Sequence, residues 1–281
     1  MSDDPSSLRT AGPFTPAQAA RAGVGRSGLD RALRAGVVVR LLRGVYLGAE
    51  VVPDAGVRVA AVGLVVGSRA TVVGRTAAWV HGAAAGALTV GLPADRGIPI
   101  ELRARGERPA RGSVEVRDRV RVLTAIATAG DLASRLDESA AIAALDGLLR
   151  AGALDRTALL DATSPVPAVL AVRCDERADG AAESVLRMHW LQARLPTPSP
   201  GTTVCGARLA LALPVHRFGV VLSGVATAPA RERWAAAGWQ ILVLDGDRVL
   251  HSAPGLVREH LEREFHQHLL AQVDRSGSAA L

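Results

Sequence analysis

Only eight of the 281 residues are aromatic, yet 49% are hydrophobic, so the cores of this chain must be built from Ala, Val and Leu. That apolar share lies well above a disordered composition. A chain of this length is too long for one small module and is expected to divide into two or three domains, each burying its own core. No apolar run approaches the ~20 residues that span a bilayer. The longest, such as residues 59–67, are short and interrupted by glycine. Residues 1–10 are polar and acidic at their start, which does not fit a secretory signal. Cys174 and Cys205 stand outside any metal-type spacing and suggest no disulfide framework. The expectation is a cytoplasmic protein with no membrane partner, no cofactor and no bound metal.

The chain contains no lysine and no asparagine, so all 33 basic residues are arginine. A GC-rich genome accounts for that choice as readily as nucleic-acid binding does, so the position of the charge says more than its total. Residues 14–47 carry Arg21, Arg26, Arg31, Arg34, Arg40 and Arg43 against Asp30 alone, a net of +5. Residues 166–265 carry eleven arginines against ten acids, a net of +1. Most of the formal +6 therefore falls in one short stretch.

Thr15-Pro16 in that stretch is a helix-start signal, a capping hydroxyl followed by proline at the first helical position. A helix is expected over 16–22, then a turn at Gly23-Val24-Gly25. Ser27 reads as the cap of a second helix, with Asp30 three residues on in a capping-box position. Leu29, Ala32 and Leu33 repeat at helical spacing, and Gly36 closes the helix. Residues 37–42 and 45–47 read as strands joined across Arg43-Gly44. Two short helices with a tight turn and then a hairpin is the layout of a winged helix-turn-helix. Its second helix and wing would bring Arg26, Ser27, Arg31, Arg34, Arg40 and Arg43 to double-stranded DNA. The alternative is a small α/β packing unit with solvated arginines.

The pattern Phe14-Thr15, Gln18-Ala19, Gly23, Leu29, Gly36, Arg40-Leu41 and Arg43-Gly44-Val45-Tyr46 resembles the N-terminal domain of AbiEi-type antitoxins. The resemblance implies operator binding and a nucleotidyltransferase toxin as a protein partner, with a homodimer as an open option. Such a head also occurs in actinobacterial chains fused to unrelated tails, so it implies DNA binding more strongly than it implies an antitoxin.

Residues 54–163 give a mixed pattern: helices over 57–66, 76–81, 124–136, 138–151 and 155–162, and strands over 98–104 and 113–123. Leu145, Leu148 and Leu149 form an apolar stripe. Arg75–Gly82 resembles a segment of AbiEi-like chains. His81 could serve as ligand or base, but a structural histidine beside Trp79 is the plainer reading. The segment reads as a spacer or a protein-contact platform.

The C-terminal part reads as α-β-β-α-β-α: helix 181–195, strands 208–213 and 218–222, helix 230–237, strand 239–244 and helix 254–270. Glu183-Ser184-Val185-Leu186-Arg187, the strand and turn from Arg208 to Pro214, Gly224 and Ala237-Gly238-Trp239 resemble the very-short-patch-repair-like endonuclease domain of the PD-(D/E)xK class. That family implies carboxylates at positions held here by Ala210, Val221 and Ser223; only Glu183 persists. Ala and Val cannot ligate a hard cation, so no catalytic residue and no metal ligand is expected. Asp245 and Asp247 read as caps of a turn.

The whole is expected to be an α/β multidomain protein. Its parts are a flexible N-terminus over 1–13, a winged helix-turn-helix over 14–50, a middle α/β domain over 54–163, a degenerate nuclease-like domain over 166–270 and a disordered tail over 271–281. A non-enzymatic transcriptional regulator or antitoxin-like autorepressor is the expected function. A divergent structure-specific endonuclease and a protein-interaction scaffold are the alternatives.

Overall fold

A computed structural model describes residues 8–67, 70–92, 98–103 and 110–278, with side chains to residue 273. The chain is a mixed α/β protein of two compact units, Met1–Val172 and Arg173–Leu281.

The first unit opens with α1 (Pro16–Arg21) and α2 (Arg26–Arg34), followed by the antiparallel hairpin of β1 (Val38–Leu42) and β2 (Val45–Gly48). Next come α3 (Ala55–Gly63), β3 (Thr71–Val72), α4 (Gly74–Val80), α5 (Ala85–Leu88) and β4 (Leu102–Arg103). The unit continues through β5 (Val114–Arg117), β6 (Val120–Leu123), α6 (Ala125–Arg135), α7 (Glu138–Arg150), α8 (Arg156–Leu160) and α9 (Ala168–Ala171). A four-stranded sheet of order β4-β3-β6-β5 pairs β3 with β6 in parallel and β5 with β6 antiparallel.

Residues 113–123, expected as one strand, are thus a hairpin. Asp118 and Arg119 both take positive φ, +45° and +67°, which reverses the chain in two residues. From the expected strand over 98–104, only Leu102–Arg103 forms a strand among the described residues, and residue 104 lies outside them. Helix α7 is buried from Ala140 to Leu149, a span that is apolar apart from Asp146. His81 is buried, with Nε2 2.6 Å from the Leu123 carbonyl. Burial holds its pKa below the ordinary histidine value, the pattern of a structural imidazole.

The N-terminal segment is ordered earlier than expected. Leu8 is buried in one core with Phe14, Leu29, Val38 and Tyr46. Gly48 N–H donates to Ala11 O and Glu50 N–H to Arg9 O. Residues 1–7 lie outside the described residues.

The second unit runs α10 (Ala181–Gln192), β7 (Ser199–Val204), β8 (Ala207–Leu213), β9 (Phe218–Leu222), α11 (Ala228–Ala236), β10 (Gln240–Leu244), α12 (Gly246–His251) and α13 (Pro254–Ser278). Its sheet has the order β10-β9-β8-β7, with β7, β8 and β9 antiparallel and β9 and β10 parallel across α11. Strand β7 is absent from the sequence reading because Pro198 and Pro200 mark it as a helix stop. Among the described strands β7 pairs only with β8, and a proline is tolerated at a sheet edge, where its missing N–H leaves no ladder bond unmade.

Asp245 caps α12 by accepting from Arg248 N–H at 3.0 Å. Helix α13 does not stop at Leu270 but continues to Ser278; no proline lies in residues 271–278, and the one glycine there, Gly277, falls in the last turn. Residues 279–281 lie outside the described ones. Trp190, Phe218 and Phe265 pack with centroids 5.4–6.0 Å apart, gathering three of the eight aromatics into one core.

Candidate nucleic-acid interface

The N-terminal module is assembled by local rules. Thr15 and Gln18 form a reciprocal capping box: Thr15 Oγ1 accepts from Gln18 N–H at 3.3 Å, and Gln18 Oε1 accepts from Thr15 N–H at 2.8 Å. Helix α1 ends where Gly23 turns left-handed at φ +91°, with Val24 N–H donating to Ala19 O at 2.9 Å. The same device closes α2, where Gly36 has φ +66° and Val37 N–H reaches Ala32 O. Each turn drops one valine, Val24 or Val37, into the core. The angle between successive elements is thereby set by glycine geometry and valine burial together.

Helix α2 begins two residues earlier than the sequence reading placed it. Its N-cap is Gly25, in extended conformation at φ −70° and ψ 177°, and Leu29 N–H donates to Gly25 O at 2.9 Å. Burial of Val24 brings the chain into the helix at that point. Ser27 is therefore not a cap, and no capping box joins it to Asp30. Both side chains are released onto the outer surface.

The two sides of α2 are sharply divided. Gly28, Leu29 and Ala32 are buried and Leu33 is packed against the same core. Arg26, Ser27, Asp30, Arg31 and Arg34 are exposed. At about 100° per residue these five positions fall within an arc of roughly 140° on one side of the helix. Three guanidinium groups, a hydroxyl and a carboxylate thus share the outward face of a short helix braced by the hairpin behind it.

Arg40 and Arg43 lie on that hairpin and are exposed. Arg43 and Gly44, the latter at φ +80°, form the two-residue turn between β1 and β2. The Arg40 guanidinium stands 5.8 Å from the centre of the Tyr46 ring, and Tyr46 stacks on Phe14 with centroids 6.0 Å apart. That contact orients Arg40 along the hairpin.

In the second unit Glu183, Ala210, Val221 and Ser223, the positions singled out by the sequence resemblance, form no cluster of metal-type ligands among the described residues. Ala210 on β8 and Val221 on β9 are buried, and Ser223 is exposed at the start of a 3₁₀ turn after β9. Glu183 on α10 is buried, and its two oxygens are taken. Arg208 donates Nη1 to Oε1 at 2.6 Å and Nη2 to Oε2 at 2.8 Å, and Asp179 N–H donates to Oε2 at 2.7 Å. The carboxylate in turn holds the Arg208 guanidinium above its ordinary pKa. Gly201, at φ +62°, lets this pair close: a Cβ there would sit 3.2 Å from Arg208 Nη2 and 2.7 Å from the Arg177 carbonyl oxygen. The sequence carries no local sign of the pair, because its partners are 25 residues apart and join across a helix and a strand.

Among the described residues no helix is long and apolar enough to cross a membrane. No curated protein and no solved structure matches the chain. Residues 6–47, the segment built around α1, α2 and the hairpin, match the model of a family described as transcriptional regulator, AbiEi antitoxin.

Proposed function

We propose that the protein is a non-enzymatic, sequence-specific DNA-binding regulator in which residues 14–50 act as a winged helix-turn-helix. Helix α2 enters the major groove and the β1–β2 hairpin is the wing. The observation that carries this reading is the outward arc of Arg26, Ser27, Arg31 and Arg34 on a helix whose opposite side is buried. Guanidinium groups pair with phosphate oxygens and with the O6 and N7 acceptors of guanine, and a rigid helix presents them in fixed register. Arg43 at the wing tip adds a further phosphate contact. The similarity of residues 6–47 to an antitoxin regulator family supports the same reading. It also extends the proposed partners to a cognate toxin protein, with autorepression as the regulatory output and a homodimer on paired half-sites as the bound form.

The second unit, in this proposal, is a nuclease-like domain without catalysis. The support is chemical. Glu183 is neutralised internally by Arg208, and Ala210 and Val221 offer hydrocarbon where a divalent cation needs oxygen. Adding Mg²⁺ is expected to produce no cleavage of single-stranded, nicked or mismatched DNA.

The DNA-binding reading is tested by fluorescence anisotropy on labelled duplexes across a salt series. Each phosphate contact contributes about −0.9 to the slope of log affinity against log salt. Arg26→Ala, Arg31→Ala and Arg34→Ala, folded by circular dichroism, should each weaken binding and flatten that slope. Unchanged affinity in all three overturns the proposal.

A further inference from the structure

We propose that Asp30 is the base-reading residue of this face and selects a cytosine; the inference rests on the DNA-binding reading above and names its specificity. Asp30 is the only acid in residues 14–47 and the fifth of nine residues in α2. It is exposed, with Arg26 one turn before it and Arg34 one turn after it on the same side. The three ordinary uses of an aspartate in a helix do not apply. Asp30 does not cap α2, because Gly25 does; it does not pack, because it is exposed; and among the described residues its carboxylate makes no hydrogen bond or ion pair. Arg34 Nε donates instead to the Asp30 backbone carbonyl at 3.3 Å, which lays the guanidinium along the helix.

A carboxylate amid arginines is costly on a surface that serves only to hold phosphate, since its charge opposes the attraction that the arginines supply. It gains a use where base edges offer donors. In the major groove those donors are the N4 amino group of cytosine and the N6 amino group of adenine. Adenine presents N7 beside N6, so a carboxylate that takes the N6 proton also meets an acceptor. Guanine presents acceptors alone, and thymine an acceptor and a methyl group. Cytosine N4 is the one donor without an acceptor beside it on the same base. Asp30 therefore attracts cytosine and repels guanine, while Arg26, Arg31 and Arg34 hold the helix in the groove. The carboxylate lowers affinity for all DNA and raises the difference between one sequence and the rest.

The test is in vitro selection from a randomised duplex library with the full chain, as wild type, Asp30→Ala and Asp30→Asn, each checked by circular dichroism. The wild-type motif should contain one C·G pair whose replacement weakens binding about 10–100-fold, the range for one good base contact. Asp30→Ala should lose that preference and bind unrelated duplexes more tightly. Asp30→Asn should move the preference to adenine, which an amide can contact through both N6 and N7. If wild type and both variants select one motif, or if Asp30→Ala weakens all duplexes equally, as expected of a residue that only orients its neighbours, the inference fails while the DNA-binding reading stands. If the wild type selects no motif and binds no duplex, the DNA-binding reading falls with it.

Discussion

Breaking the Glu183–Arg208 pair from either side should cost different amounts, and the difference follows from burial. The Glu183 side chain is 6% exposed and that of Arg208 is 32% exposed. Arg208→Met keeps the aliphatic stem but strips Glu183 of two charge-assisted hydrogen bonds, leaving an anion with the Asp179 N–H as its only remaining bond. Removing one partner of a buried pair costs about 3–5 kcal/mol, and the partial exposure of Arg208 argues for the lower end, about 3 kcal/mol. Glu183→Gln leaves a guanidinium that can turn toward water and keeps its 2.5 Å bond to the Arg177 carbonyl. Its amide oxygen can still accept one bond, so the loss should be about 1–2 kcal/mol. With a urea dependence of roughly 1–3 kcal/mol/M, Arg208→Met should lower the unfolding midpoint by about 1–3 M and Glu183→Gln by about half of that. Tryptophan fluorescence mainly reports the unit concerned, because three of the four tryptophans, Trp190, Trp234 and Trp239, lie in Arg173–Leu281 and only Trp79 lies in the first unit. An Arg208→Met variant as stable as Glu183→Gln, or more so, would refute the claim that the buried carboxylate, rather than the arginine, is the costly member.

Two further perturbations probe the first unit. Gly48→Ala places a Cβ 2.2 Å from the Arg9 carbonyl oxygen and 2.5 Å from that of Leu8, so the segment before Phe14 should be expelled from the core and cut much faster in limited proteolysis; an unchanged cleavage rate counts against the packing described. His81 is held below its ordinary value of 6.5 chiefly by burial. The unfolded chain therefore takes up a proton that the folded one resists. The stability tied to His81 is present above pH 6.5 and is lost as pH falls below it. Urea midpoints at pH 7.5 and 5.5 should differ more for the wild type than for His81→Gln, and an equal pH dependence in the two would contradict the assignment.

Much of the N-terminal module was legible because its signals are local. Thr15-Pro16, the glycines at 23 and 36, and the Arg43-Gly44 turn each act within four residues, and each turn forms where it was expected. The start of α2 was misplaced because serine is the better cap in isolation. Burial of Val24 outweighs the bond that a Ser27 cap would contribute. The same shift hid the standing of Asp30, which read as half of a capping box. In the second unit, β8, β9 and β10 follow from apolar runs, whereas β7 was masked by its prolines. The hairpin at Asp118-Arg119 was missed because Arg119 is not a usual residue at positive φ and no glycine accompanies Asp118, the one of the pair that tolerates it.

The sequence by itself determined the concentration of arginine in residues 14–47, the α/β alternation and the lack of oxygen ligands at Ala210 and Val221, because these depend on residue identity and on short-range periodicity. Only the tertiary structure decided which side of α2 faces outward, that Leu8 belongs to the core, and that Glu183 is neutralised by Arg208. Those outcomes depend on contacts between residues far apart in the chain. There, burial and charge pairing act through space, and a linear pattern carries no record of which distant partner arrives.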